Sequence, residues 1–410
     1  YIGLDNALIK FQRTDSVWQQ QFIFDYFSSG PRDTTKKKSA GIRFNLQKVE
    51  MKNVRFEKKD GWLGNDMTVS VGQLQLDADK LSLSGKTFDI NALVIDQPVV
   101  TIANRKRNKP VDTLSLQNVK EEIARATHWG DDKTIFRIGY LKITNGTFKD
   151  DKLTDRPAFA HFDGKHILFT GINAEMKEAR FEGDTVFSRL TLQAKERSGL
   201  EVKQLKADVK ITPVGMAFSN LDLRTNRSTI RNFFSMSYDD MDDLGYFVSR
   251  VKLAASFDSS YVSSDDIAYF APALANWKKN ITLRGKVRGT INDLVGRDML
   301  VQAGNSTLLN GDITMTGLPD INQTFIDFKA NDFHTTYADA VTIIPALRRI
   351  SSPNLAALSY VNFKGNFTGF IRDFVTYGTI QTALGTIRSD INMKLPPGQD
   401  PVYSGTLSTD

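Results

Sequence analysis

The chain has 410 residues, 40% of them apolar and 24% charged, enough for two or more domains or for one extended repetitive structure. It has no cysteine, which excludes disulfides and thiolate metal sites, and its net charge of +6 is too mild to argue for nucleic acid. No apolar stretch reaches the roughly 18 residues of a membrane-spanning helix, and the chain reads as an internal piece of a longer protein.

Strand is predicted first, over residues 1–27, in the runs 7–11 and 21–26, before a loop over 28–39 carrying Lys36, Lys37 and Lys38. Short alternating runs follow: Ile42, Phe44 and Leu46; Val69 and Val71; Leu74, Leu76 and Ala78; Leu81 and Leu83. Phe88 and Ile90, Leu93 and Ile95, and Val100 and Ile102 continue them. Gly, Asp or Asn stands between most runs, which predicts an antiparallel meander. After a basic loop over 104–110, the spacing of Val119, Ile123 and Ala126 predicts a helix over 117–128. Residues 1–130 thus form a first β-meander that ends in a short helix.

A second meander occupies 131–262. Its Asn145-Gly-Thr-Phe148 matches Asn53-Val-Arg-Phe56, 92 residues earlier. Strands are expected over 167–169, 186–194, 202–211, 216–223 and 244–257. The third part, 263–410, opens with a helix over 264–277, capped by Ser263-Ser264-Asp265-Asp266 and kinked by Pro272.

The third part is a duplication. Residues 281–294, with Gly285-Lys-Val287-Arg-Gly289-Thr-Ile291-Asn-Asp293, recur 80 residues later as Gly365-Asn-Phe367-Thr-Gly369-Phe-Ile371-Arg-Asp373. Apolar residues or Gly fill one parity and polar residues the other, so each copy reads as a long strand with one oily and one wet face. Asp266 with Pro272-Ala-Leu274 recurs as Asp339 with Pro345-Ala-Leu347, and Asp312-Ile313-x-Met315 as Asp390-Ile391-x-Met393. One unit is a short helix, a long strand and further strands, repeated about every 80 residues and continuing past the end of the chain.

Little in the chain carries catalysis. His128, His161, His166 and His334 have no metal-binding spacing. Asp239-Asp240-Met-Asp242-Asp243 lacks the glycine and distal glutamate of a calcium loop and reads as a solvated hairpin tip. Arg105-Lys106-Arg107-x-Lys109 and the 36–38 lysines read as solvated loops. No nucleophile, paired carboxylates or phosphate loop can be picked out, so the chain is expected to be neither an enzyme nor a cofactor binder. The excess of one-faced strand has two solutions: a closed sandwich or barrel, or a long curved sheet whose oily side stays open to a greasy ligand.

The phrases Val71-Gly-Gln-Leu74-Gln-Leu76, Leu81-Ser-Leu83-Ser-Gly85-Lys-Thr-Phe88-Asp-Ile90 and Leu93-x-Ile95-Asp-Gln-Pro98 resemble the AsmA-like and TamB-like proteins of Gram-negative bacteria. Ala271-Pro272-Ala-Leu274 before the 283–294 strand, and Thr382-Ala-Leu384-Gly385 before Tyr403-Ser-Gly405, are similar to the same family. The resemblance covers about residue 42 to the end. It implies a mainly β fold: an elongated, repetitive antiparallel β-groove, U-shaped like a taco-shell solenoid, with a few short helices. It further implies a periplasmic protein, anchored through an N-terminal helix absent from this chain to the inner membrane, carrying phospholipid towards the outer membrane.

Three readings follow. In the first the chain is a lipid conduit, with acyl chains lying on Leu74, Leu76, Leu83, Ile90 and Ile95 early in the chain. Leu283, Val287, Ile291, Ile313, Met315, Phe363, Phe367 and Ile371 serve late in the chain. In the second, implied by the TamB branch, it is a scaffold for outer-membrane protein assembly, pairing strand edges with a client or with an outer-membrane barrel protein. The third, a closed adhesin solenoid, conflicts with the helical interruptions and the lack of a short coil repeat.

Overall fold

Alternating strands separated by Gly, Asn and Asp turns produce, in the computed structural model, a chain that is 67% strand and 10% helix. The structure describes residues 1–22, 46–82, 87–109, 135–153, 156–349, 354–396 and 402–409. It divides into two compact units, Tyr1–Met216 with Asp239–Met241, and Ala217–Tyr238 with Asp242–Asp410. The expected helix over 117–128 and Leu83 lie outside the described residues.

In the first unit, β1 (Ile2–Asp5) and β2 (Leu8–Arg13) run parallel to β3 (Lys48–Asp60) along one edge. The 18-residue β4 (Asn65–Ser82) pairs antiparallel with β3. Its other edge is shared by β5 (Thr87–Asp96) and β6 (Val99–Asn104). Both run parallel to β7 (Ile135–Lys152), so strands from either side of the residue 130 division expected above lie in one sheet. Antiparallel β8 (His166–Glu182), β9 (Thr185–Glu196) and β10 (Glu201–Thr212) follow. β11 (Gly215–Arg224) contains the division between the units.

The second unit is a simple antiparallel meander, each strand pairing with the next. Its members are β12 (Thr229–Ser237), β13 (Lys252–Ser263), β14 (Asn280–Gly289), β15 (Asp293–Ala303) and β16 (Thr307–Thr316). β17 (Phe325–Thr336), β18 (Tyr360–Phe370), β19 (Asp373–Thr382), β20 (Gly385–Lys394) and β21 (Val402–Thr409) complete it. Its α-helices are α1 (Phe247–Arg250), α2 (Ser264–Ile267) and α3 (Tyr337–Ile343).

Three expectations need correction. Residues 281–294 are two strands, because β14 stops at Gly289 and a turn at 290–292 reverses the chain; Asp293 N donates to Thr290 Oγ1 at 3.1 Å. The second copy breaks the same way after Phe370. The helix over 264–277 shrinks to α2 plus the single 3-10 turn Pro272–Leu274, since a residue before proline is held out of the helical region, and Ala271 sits at φ −128° and ψ 82°. The strand over 244–257 begins only at Lys252, after a 3-10 helix at Met241–Tyr246 and α1.

A second regularity runs across the strands. Most strands of the second unit lose regular geometry at one level. Ser259 in β13 (φ 48°), Gly285 in β14 (φ 130°) and Asp298 in β15 (φ 50°) are left-handed or glycine-only. Gly311 in β16 (φ 156°), Gly365 in β18 (φ 153°) and Gly378 in β19 (φ 157°) continue the line. Pairing registers slip there: between Phe257 and Ser260, Arg284 and Lys286, Gly296 and Met299, and Ala330 and Phe333. Each bulge bends its strand and raises its twist. The glycines are obligatory, since a Cβ on Gly311 would lie 2.0 Å from Lys329 O and one on Gly365 2.1 Å from Tyr377 O.

The first unit has the same device in asparagine, the non-glycine residue that best tolerates this conformation. Asn53 (φ 51°) in β3 faces Asn6 (φ 50°) at the β1–β2 break, Nδ2 donating to Oδ1 at 3.2 Å. Asn145 (φ 51°) in β7 faces Gln97 (φ 49°) at the β5–β6 break, where Gln97 N donates to Thr144 O at 2.8 Å. The 92-residue echo in the sequence is therefore a repeated left-handed kink at asparagine, with a register slip beside it only at Asn145.

Burial is low. Among the described residues the fully buried apolar cluster is small, Ala78, Ile90, Ile138 and Ala179, all in the first unit.

Replacing Gly365 by Ala is expected to destabilise the protein by about 3 kcal/mol in urea denaturation, through forbidden backbone geometry and collision with β19. Lys329→Ala, on the exposed face, should change stability by no more than about 0.5 kcal/mol.

Candidate ligand-holding face

Residues paired in register share a face, so the pairings assemble the side chains expected to meet a ligand. In the second unit, Val287 pairs with Gly296, Gly296 with Ile313, Ile313 with Phe328, and Phe328 with Phe367. One row over, Leu294 pairs with Met315, Met315 with Ile326, Gly369 with Phe374, and Phe374 with Met393. Beyond the bulge line, Leu283 pairs with Val301, Val301 with Leu309, Leu309 with Phe333, Phe333 with Phe363, and Phe363 with Ile380. These are rows of apolar side chains, two on one side of the bulge line and one on the other.

The rows are not closed over. Leu283 and Phe328 keep 8% exposure each, but Val287, Ile313, Met315, Phe363 and Phe367 are only half-buried. Packed sandwich cores bury such positions. Stacking within the face accounts for the partial burial: the Phe367 and Phe374 rings lie 4.7 Å apart.

Of the late candidates, Leu283, Val287, Ile313, Met315, Phe363 and Phe367 lie on this face. Ile291 and Ile371 do not lie on strands; both fall in hairpin turns, and Ile371 is 43% exposed. The turns cut off what reads in sequence as a continuing alternation. In the first unit, Leu74 pairs with Ile95 and Ile95 with Ile143, while Leu76 pairs with Leu93. Ile90 is part of the buried cluster, and Leu76 packs against it.

Sequence reasoning missed Leu294, Val301, Leu309, Ile326, Phe328, Phe333 and Phe374. The apolar parity in β15 is even at Leu294 and Gly296 but odd at Met299 and Val301, and in β17 even at Ile326 and Phe328 but odd at Phe333. A bulge between the halves inverts it.

The opposite face is polar, with Arg284, Lys286, Arg288 and Lys329 exposed and Arg297 paired with Asp312 at 3.2 Å. Two equivalent staples hold the meander. α2 and α3 are capped by Ser263 and Thr336, and Asp266 and Asp339 occupy matching positions. Asp266 Oδ2 accepts from Thr225 Oγ1 and Arg227 N, in the β11–β12 turn. Asp339 Oδ2 accepts from Asn305 N at 2.9 Å, Thr307 N at 3.1 Å and Ser306 Oγ at 2.8 Å, in the β15–β16 turn. Burial works against the charge of Asp339, yet these donors win and hold its carboxyl below the usual carboxylate value.

Three other polar candidates are held by partners within the fold. Asp163 is 4% exposed, bonded to Arg156 at 2.7 Å and to Phe159 N and Lys165 N, which keep it ionised far below the ordinary range despite burial. His166 Nδ1 bonds Asp151 at 2.7 Å. Of the acidic run, Asp239 and Asp240 are exposed as expected, whereas Asp243 is buried and pairs with Arg250 at 3.2 Å. Among the described residues no three His, Asp or Glu gather as a metal site, and no helix is long and apolar enough to cross a membrane. The sequence matches no protein-family model and no curated protein.

Because the folded-state value of Asp339 is depressed, its contribution is present above the unfolded carboxyl value, near pH 4, and is lost as pH falls through the lower folded value. Asp339→Asn is expected to cost about 2 kcal/mol at pH 7. Between pH 5 and pH 2.5 its stability should fall less steeply than that of the native protein, measured by urea denaturation across pH.

Proposed function

We propose that this chain is part of a periplasmic bridge that carries phospholipid between the inner and outer membranes, its acyl chains lying on the apolar sheet faces. The observation that carries the reading is the half-buried state of Val287, Ile313, Met315 and Phe367: apolar side chains in ordered rows, without the closed packing of a sandwich. Large apolar surfaces of this kind mark a binding partner, and hydrocarbon is the one such rows suit best. The bulge line supports it, since bends at one level in neighbouring strands turn a flat sheet towards a trough. The resemblance to AsmA-like and TamB-like proteins points the same way and supplies the periplasmic setting and the inner-membrane anchor. Movement along the face is passive in this reading, with energy supplied elsewhere.

The double variant Val287→Arg with Phe367→Arg places charge at both ends of one apolar row. Native mass spectrometry of the purified protein should show co-purified phospholipid reduced at least tenfold, with an unchanged far-ultraviolet circular dichroism spectrum. Undiminished lipid in the folded variant overturns the conduit; crosslinks of the native protein to an outer-membrane barrel protein, with no lipid bound, favour the assembly scaffold instead.

A further inference from the structure

The polar face of the second unit carries a feature that the lipid reading leaves unused. A cleft of about 590 Å³ opens over β15 to β19, within the size range of small-molecule sites. One register row supplies much of its wall: Gln302 pairs with Leu308, Leu308 with His334, His334 with Asn362, and Asn362 with Gln381. The β15–β16 turn that Asp339 staples adds Asn305 and Ser306, and Asp332 and Lys364 complete the lining.

These groups are unequal in their commitments. His334 Nδ1 is bonded to Asn362 Oδ1, and its ring stacks on Tyr360 at 6.4 Å, so the imidazole is held in place. The side chains of Gln302, Gln381, Asp332 and Lys364 make no hydrogen bond within the described chain, and all four line the cleft. The cleft therefore presents primary amides, an imidazole, one carboxylate and one ammonium around a single aliphatic side chain, Leu308.

The charges decide the ligand class. One Lys364 against one Asp332 leaves the lining close to neutral, whereas a phosphate site needs an excess of cations or of convergent backbone N–H groups. An amide carries donor and acceptor side by side, which matches a hydroxyl, itself both donor and acceptor. Several amides around one aliphatic contact suit a ring with hydroxyls at its rim and C–H groups on its face.

We propose that this cleft binds a neutral saccharide, on the sheet face opposite the apolar rows. Gln302 and Gln381 bond hydroxyls at the two ends of the row, Asp332 accepts from a third, and His334 with Leu308 forms the floor. A bridge with such a site is held against glycan while its other face carries lipid, and neither activity requires the other.

The test is calorimetric titration of the whole chain with a panel of neutral oligosaccharides that includes chitotetraose and maltotetraose, with inorganic phosphate alongside. Saturable binding of at least one saccharide is expected, weakened at least tenfold in Gln381→Ala and in Asp332→Asn, both of which should fold normally because these side chains support no other group. Val287→Arg with Phe367→Arg should leave saccharide binding unchanged. No saturable binding across the panel, binding of phosphate in place of saccharide, or saccharide binding indifferent to both cleft variants each overturns the proposal.

Discussion

Everything in the second unit depends on backbone geometry at one level of its strands. A sheet built only of regular alternation would have no preferred line of bending. Here neighbouring strands leave regular geometry together, by glycine in β14, β16, β18 and β19 and by an extra left-handed residue in β13 and β15. A Cβ is excluded where it would lie about as close as a covalent bond plus a fraction to a facing carbonyl, 2.0 Å at Gly311 and 2.2 Å at Gly378. The first unit reaches the same end with Asn53 and Asn145. Two chemistries for one geometry indicate that the bend itself is what the sequence maintains.

That constraint has an energetic consequence. A bent single layer cannot bury its oily side as a flat pair of sheets does, and the half-burial of Ile313, Met315 and Phe367 is the result. The fold is held instead by long ladders of backbone hydrogen bonds, by same-face packing such as Phe367 on Phe374, and by carboxylate staples at the turns. Apolar surface left in this state is costly in water unless a ligand covers it. Structure and proposed lipid carriage are linked at this point.

The mainly antiparallel β class was legible from alternation, and the repeat from the paired copies at Gly285 and Gly365. The late face was half legible for a specific reason. β14 and β18 bend by glycine, which adds no residue, so parity survives from Ile281 to Val287 and from Phe363 to Phe367. β15 and β17 bend around an extra residue, so parity inverts mid-strand and Leu294, Val301, Ile326 and Phe333 were hidden. Ile291 and Ile371 fell off the face because hairpin turns continue the alternation by chance. The cleft was illegible, since Gln302, His334, Asn362 and Gln381 come together only through strand register.

The central claim, that hydrocarbon lies on one face of this sheet, is tested most directly within a single strand. A photo-crosslinking benzoylphenylalanine at position 313, irradiated in intact cells, samples the apolar face; the same group at 312 samples the polar face one residue away. The account predicts phospholipid adducts at 313 and none at 312, read by mass spectrometry of the purified protein. Adducts equally abundant at both positions, or none at 313, would contradict it.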